Sequence, residues 1–169
     1  MSKQIVSFSS LSKHDKYYLA KAAFSAHRLS KDPSSKVGAV ITDAQGNPVS
    51  EGVNGFARGI ADTPERWNNR ELKYPLVIHA ELNALIFAKR DISGCSLFTH
   101  PLSPCSGCAN IFAQAGIVRV VSPLITDQRL IEAHKLKLAE EIFEEKGIEL
   151  VLVTDIPKEE IVMHCPATS

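Results

Sequence analysis

The chain has 169 residues with no net charge, 19 Lys and Arg against 19 Asp and Glu, and 44% of its residues are hydrophobic. A neutral chain lacks the cationic surplus that sequence-independent nucleic-acid binding needs, and no apolar run reaches the roughly 18 residues of a membrane span. The N-terminus shows no apolar signal-peptide core, so the four cysteines (Cys95, Cys105, Cys108 and Cys165) are expected to be thiols in a reducing cytoplasm, not a disulfide framework.

In chain order, the apolar spacing of Tyr17, Leu19, Ala20, Ala23, Phe24 and His27 predicts a helix from about Ser12 to Leu29, and SKDPSS breaks it. VGAVIT reads as a buried strand, DAQGNP as a hairpin turn and VSEGVNG as the return strand. Residues 56–76 have no clear periodicity and are expected to be a long polar insertion, a kind of loop that usually serves function. Next come a helix from about His79 to Lys89, the strand CSLFT, a helix from Cys105 to about Ala115 and the strand VRVVS. One long amphipathic helix from about Asp127 to Lys146 stops at Gly147, and IELVLVT is a last strand. From about residue 155 the chain reads as a peripheral tail. The alternation predicts a single domain over residues 1–169, of α/β class, with helices on both faces of a central mixed sheet of about five strands.

Two short motifs carry chemistry. Cys105 and Cys108 are spaced as paired thiolate ligands, and a helix start, prepared by Pro104, favours the thiolate form. His79 and Glu81 open another helix. Residues two apart on a regular helix point about 200° away from each other, so His79 is expected in the turn leading in and Glu81 in the first helical turn. One histidine and two cysteines make three ligands, which is the complement of a catalytic zinc; a structural zinc takes four. H-x-E followed by P-C-x-x-C is the known signature of zinc deaminases, in which the glutamate moves protons and does not bind metal. A zinc-stabilised interaction module would have no use for Glu81. A deaminase acting on tRNA or single-stranded DNA would want a basic, aromatic track, which neutral charge and 7% aromatic content disfavour.

The stretches SKDPSSKVGAVI, GVNGFARG, ELKYPLVIHAELNALI, GCSLF and PCSGCANIFAQAGI follow one another in an order that resembles the deoxycytidylate (dCMP) deaminase family of the cytidine deaminase-like zinc deaminases. The likeness spans roughly residues 14 to 153. It implies a three-layer α/β/α fold and hydrolysis of dCMP to dUMP and ammonia for thymidylate synthesis, with one Zn2+ per subunit on His79, Cys105 and Cys108 and Glu81 as the proton carrier. Asn54 matches an asparagine that contacts the sugar. Ser34, Ser35 and Lys36 offer short donors and a compact cation for a monophosphate, with Arg58 and the Arg66-to-Arg70 stretch as further phosphate candidates. Many family members are homohexamers activated by dCTP, with Mg2+ as its companion ion, and inhibited by dTTP, at a G-Y-N-G segment that here reads Gly52-Val53-Asn54-Gly55. Valine in place of the tyrosine removes an aromatic contact there. Cys95 is expected in the core, His100 in an exposed loop or else at the pocket mouth, and His134 on the polar side of the last helix, while His164 and Cys165 of the tail are expected to stand apart from the metal site.

Overall fold

The computed structural model describes residues 3–158. Its centre is a six-stranded mixed sheet in the order β1-β8-β7-β6-β2-β3, built from β1 (Lys3–Ser7), β2 (Gly38–Thr42), β3 (Pro48–Val53), β6 (Ser96–His100), β7 (Arg119–Pro123) and β8 (Glu149–Thr154). Strands β1, β8, β7 and β6 run parallel, and β2 and β3 close the sheet antiparallel. Side chains alternate faces along a strand, and here both faces are apolar. Ala39, Ile41, Leu97, Val120, Leu150 and Leu152 form one core with helices α4 (Ala80–Ala88), α5 (Ser106–Gln114) and α7 (Leu136–Lys146). Val40, Phe98, Val121, Val151 and Val153 form the other, under helix α1 (Lys13–Leu29). The α/β/α sandwich is as expected. None of the helices among the described residues is long and apolar enough to cross a membrane.

Three expectations need correction. The sheet has six strands, not about five: β1 is a short, largely exposed edge strand without an alternating pattern. The insertion is not an irregular loop. It holds helices α2 (Pro64–Asn68) and α3 (Arg70–Leu76), capped by the side chains of Thr63 and Asn69, and then β5 (Val77–Ile78), which pairs with β4 (Gly55–Phe56). The expected long helix is two: α6 (Gln128–Ala133) and α7, broken at Lys135 with φ 49°. His134 ends α6, and its carbonyl accepts the Ser106 amide at the start of α5 (3.2 Å), so it does not continue the helical ladder. His164 and Cys165 lie outside the described residues.

Two glycines let helices settle directly onto the sheet from opposite sides. A Cβ at Gly38 would overlap the Ala22 carbonyl of α1, and one at Gly52 would meet the backbone of α4 at Ala80 and Ala84. Helix α4 is thereby fixed against β3, and it carries the site described next.

Candidate active site

His79 is the N-cap of α4, with extended backbone (φ −64°, ψ 152°), so its ring leaves the chain before the helix begins. Glu81 lies inside the first turn. This resolves the spacing problem, because the 200° rule applies only to two residues that are both helical. Cys105 is the N-cap of α5, where its Sγ accepts the Cys108 amide at 3.5 Å. His79 Nδ1 stands 3.5 Å from Cys105 Sγ and 3.4 Å from Cys108 Sγ, and the three donor atoms lie within 4.8 Å of one another. A tetrahedral zinc bonded at about 2.3 Å to sulfur and about 2.0 Å to nitrogen separates those atoms by roughly 3.5 Å. The two histidine–cysteine edges therefore already have the length found in a tetrahedral zinc site, and the donor set suits that ion.

The electrostatics agree with a cation site. The neighbouring Cys108 thiol and the His79 ring hold Cys105 down to about 3, a thiolate at neutral pH. Its bond to that thiolate pushes the His79 ring up. Cys108 moves the other way, because without metal the one remaining proton of the sulfur pair stays on it beside Cys105 and in a buried setting. Glu81 is only 4% exposed. Burial pushes its carboxyl above the usual range, opposed by hydrogen bonding to its own backbone amide and by the nearby His79.

Asn54 and Gly55 run beside the ligands, since Gly55 pairs with Ile78, the residue before His79, and Asn83 of α4 donates to the Val53 carbonyl at 2.7 Å. The Asn54 amide is buried, with all four valences met inside the protein. Its Oδ1 accepts from Ser30 Oγ and the Val37 amide (2.8 and 2.9 Å), and its Nδ2 donates to the Ser35 carbonyl and Asp32 Oδ2 (2.7 and 3.2 Å). Asp32 also gathers the Ser34 and Ser35 amides and the Ser34 hydroxyl. The Ser34 and Ser35 amides thus face a protein carboxylate, and the loop presents the exposed Ser35 and Lys36 outwards; Lys36 Nζ reaches the Ser30 carbonyl (2.6 Å). Among the other phosphate candidates, Arg58 lies over the Phe87 ring at 4.7 Å and Arg66 donates to the Ala61 carbonyl at 3.0 Å. In the stretch expected to meet effectors, Gly52 is sealed under α4, while Val53 and Gly55 are half-buried.

Sequence reasoning passed over Asp32 and Lys73, whose ammonium reaches Asp32 Oδ1 and Ser34 Oγ at 2.9 and 2.8 Å. The exposed-loop reading of His100 is corrected. This residue ends β6, half-buried, and lines a cavity of about 610 Å3 with Pro101, Pro123, Leu124, Val153 and Ile156. Burial lowers its pKa to about 4. One residue earlier, Thr99 is wholly buried, and its hydroxyl has no hydrogen-bond partner among the described residues. A buried threonine followed by a half-buried histidine at the end of a strand has no signal in a single sequence.

The family model of the cytidine and deoxycytidylate deaminase zinc-binding region matches residues 12–123, which include all three ligands and Glu81. The chain belongs to this family. An uncharacterized deaminase from the luxG 3' region of Aliivibrio fischeri is 42% identical over 132 residues, covering 76% of this chain and 87% of the other. The human deoxycytidylate deaminase is 42% identical over 111 residues, covering 62% of this deaminase and 61% of the human protein. The dCMP deaminase of cyanophage S-TIM5, crystallised with dCMP and dUMP, superposes with a TM-score of 0.64 at 25% identity over 85% of this chain and 99% of that one.

Proposed function

We propose that this deaminase converts dCMP to dUMP and ammonia. The observation that carries the reading is the His79–Cys105–Cys108 triangle with a buried carboxyl, Glu81, on the adjoining helical turn, in a chain similar to named dCMP deaminases. One zinc per subunit held by those three residues would supply a water acidic enough to ionise near neutral pH. Glu81 is placed to take that proton and to return it, first to the ring nitrogen and then to the departing amine. Its raised affinity for protons suits both directions of transfer. Replacement of the amine by oxygen at the cytosine carbon completes the hydrolysis.

The deoxyribose and phosphate would lie along the wall formed by Asn54, Ser34, Ser35 and Lys36. Asn54 serves as its brace, and Ser35 with Lys36 is the part open to a ligand. The same reading extends to a cytoplasmic homohexamer that feeds thymidylate synthesis and responds to dCTP (with Mg2+) and to dTTP around Gly52, Val53 and Gly55.

The deciding experiment follows absorbance loss with zinc-loaded protein on dCMP, deoxycytidine and dCTP in parallel, each with and without Mg-dCTP or dTTP. The expected result is a kcat/KM for dCMP at least about tenfold above the other two, the discrimination one charge-assisted phosphate contact provides. Absence of turnover on all three, with zinc confirmed bound, overturns the dCMP reading.

A further inference from the structure

Two ion pairs tie the loop between α1 and β2 to the insertion, with opposite polarity. On the surface, Lys31 of the loop reaches Asp62 of the insertion at 2.7 Å, with the lysine side chain 70% exposed. In the interior, Lys73 of α3 reaches Asp32 of the loop at 2.9 Å, with side chains only 11% and 2% exposed. A buried lysine is costly unless its charge is matched and its donors are used. Here the ammonium spans Asp32 Oδ1 and Ser34 Oγ and sits 5.8 Å from the ring of Trp67, which itself stacks on Phe56 at 4.0 Å.

What Lys73 holds matters more than its burial. Through Asp32 it fixes the Ser34 and Ser35 amides and the Asn54 side chain, and Asn54 in turn fixes Ser30 and Val37. None of its contacts runs to His79, Glu81, Cys105 or Cys108. We infer that Lys73 is a positioning residue for the nucleotide wall: it sets the shape of residues 32–37 and the setting of Asn54 through Asp32, so it governs how the substrate is held and not the chemistry at the metal. This inference rests on the nucleotide reading proposed above.

The test uses zinc-loaded Lys73→Met, the double variant Asp32→Asn/Lys73→Met and the surface control Lys31→Met. KM and kcat for dCMP are measured together with zinc content and acrylamide quenching of Trp67, the single tryptophan of the chain and 7% exposed. Lys73→Met is expected to raise KM about tenfold, the size of a lost hydrogen bond to a charged group, with kcat within about threefold of wild type, zinc retained and Trp67 more readily quenched. Lys73→Met leaves the Asp32 charge buried and unmatched, so the double variant serves as the check on folding. With both charges removed it is expected to melt above Lys73→Met, short of the wild type because an amide donor then faces Asn54 Nδ2 where Asp32 Oδ2 accepted it, and to keep the raised KM. Lys31→Met is expected to behave as wild type, because an exposed pair contributes little. A wild-type KM in the folded double variant, or a loss falling on kcat and zinc content, overturns the inference. If the wild type itself fails on dCMP, the substrate reading falls, and Trp67 decides separately: unchanged quenching in Lys73→Met overturns the role assigned to Lys73.

Discussion

Gly52→Ala tests how the sheet positions the site. A Cβ built at residue 52 would stand 2.5 Å from the Ala80 carbonyl oxygen and 2.8 Å from the Asn83 carbonyl carbon, and would also overlap the Ala84 amide nitrogen. Every one of these atoms is α4 backbone, so no side chain can swing aside. Comfortable contact between heavy atoms is about 3.5 Å, and the helix must withdraw by roughly 1 Å. Overpacking of that kind costs about 1–3 kcal/mol, and the rigidity of a helix backbone puts this case near the upper end. For a domain of this size each kcal/mol lowers Tm by about 2–4 °C, so a drop of roughly 4–10 °C is expected. The displacement also carries His79 and Glu81, and misplacing reacting groups by 1 Å costs about a hundredfold in rate. Thermal unfolding and kcat/KM on dCMP, measured beside Gly55→Ala, make the assay. A Cβ at Gly55 meets nothing within 4 Å, and that variant should stay within about 0.5 kcal/mol of wild type. A Gly52→Ala protein with wild-type Tm and wild-type kcat/KM would refute the claim that close seating of α4 on β3 positions the site.

Glu81→Gln should keep full zinc occupancy and a wild-type Tm while kcat falls by about 10²–10⁴, read by metal analysis beside the absorbance assay. His100 titrates near 4 in the fold against 6.5 when unfolded. Between those values the unfolded chain binds the extra proton, so this stability is complete above about pH 6.5 and drains away as pH falls towards 4. By pH 5 the loss is about 2 kcal/mol. Denaturant titrations at pH 7.5 and 5 should show His100→Gln lacking that increment, and equal pH sensitivity in the two proteins would contradict the burial assigned to His100. Chelation should cost several kcal/mol of stability if zinc is held far above its dissociation constant, seen as a lower Tm, and should release one fast-reacting thiol, Cys105, whose neighbour Cys108 is buried and keeps its proton. Cys95, 2% exposed, should stay slow in a thiol-reagent time course, and its rapid reaction would show that metal loss opens the core.

The coming together of His79, Cys105 and Cys108 was legible in the sequence because these residues sit at helix starts, where local spacing alone brings a side chain to the right place; the single step between His79 and Glu81 already required one to lie outside the helix. The buried strands were equally plain, GAVIT and ELVLVT being apolar on both faces. What escaped reading depends on partners far along the chain. Lys73 and Asp32 are 41 residues apart, and neither alone differs from an ordinary polar residue. β1 becomes a strand only because β8 offers an edge. The break at Lys135 has no glycine or proline to announce it, since tertiary bonding to Ser106 selects it. The helices of the insertion could have been seen: Thr63-Pro64-Glu65 is a cap followed by proline at the first helical position, and only their brevity hid them.

The modest first strand has a consequence for handling the protein. Strand β8 is buried and rich in valine and leucine, with strong β propensity, and β1 covers its outer hydrogen-bonding side along five paired residues. β1 itself is short, carries Lys3 and Gln4 outwards and is anchored by the Lys3–Glu140 pair at 2.8 Å, features that make a poor template for another chain. Residues 3–7 thus act as a guard on the sheet. A chain clipped after Ser7 would keep His79, Cys105 and Cys108 yet expose a long apolar strand, and self-association would be its first visible defect.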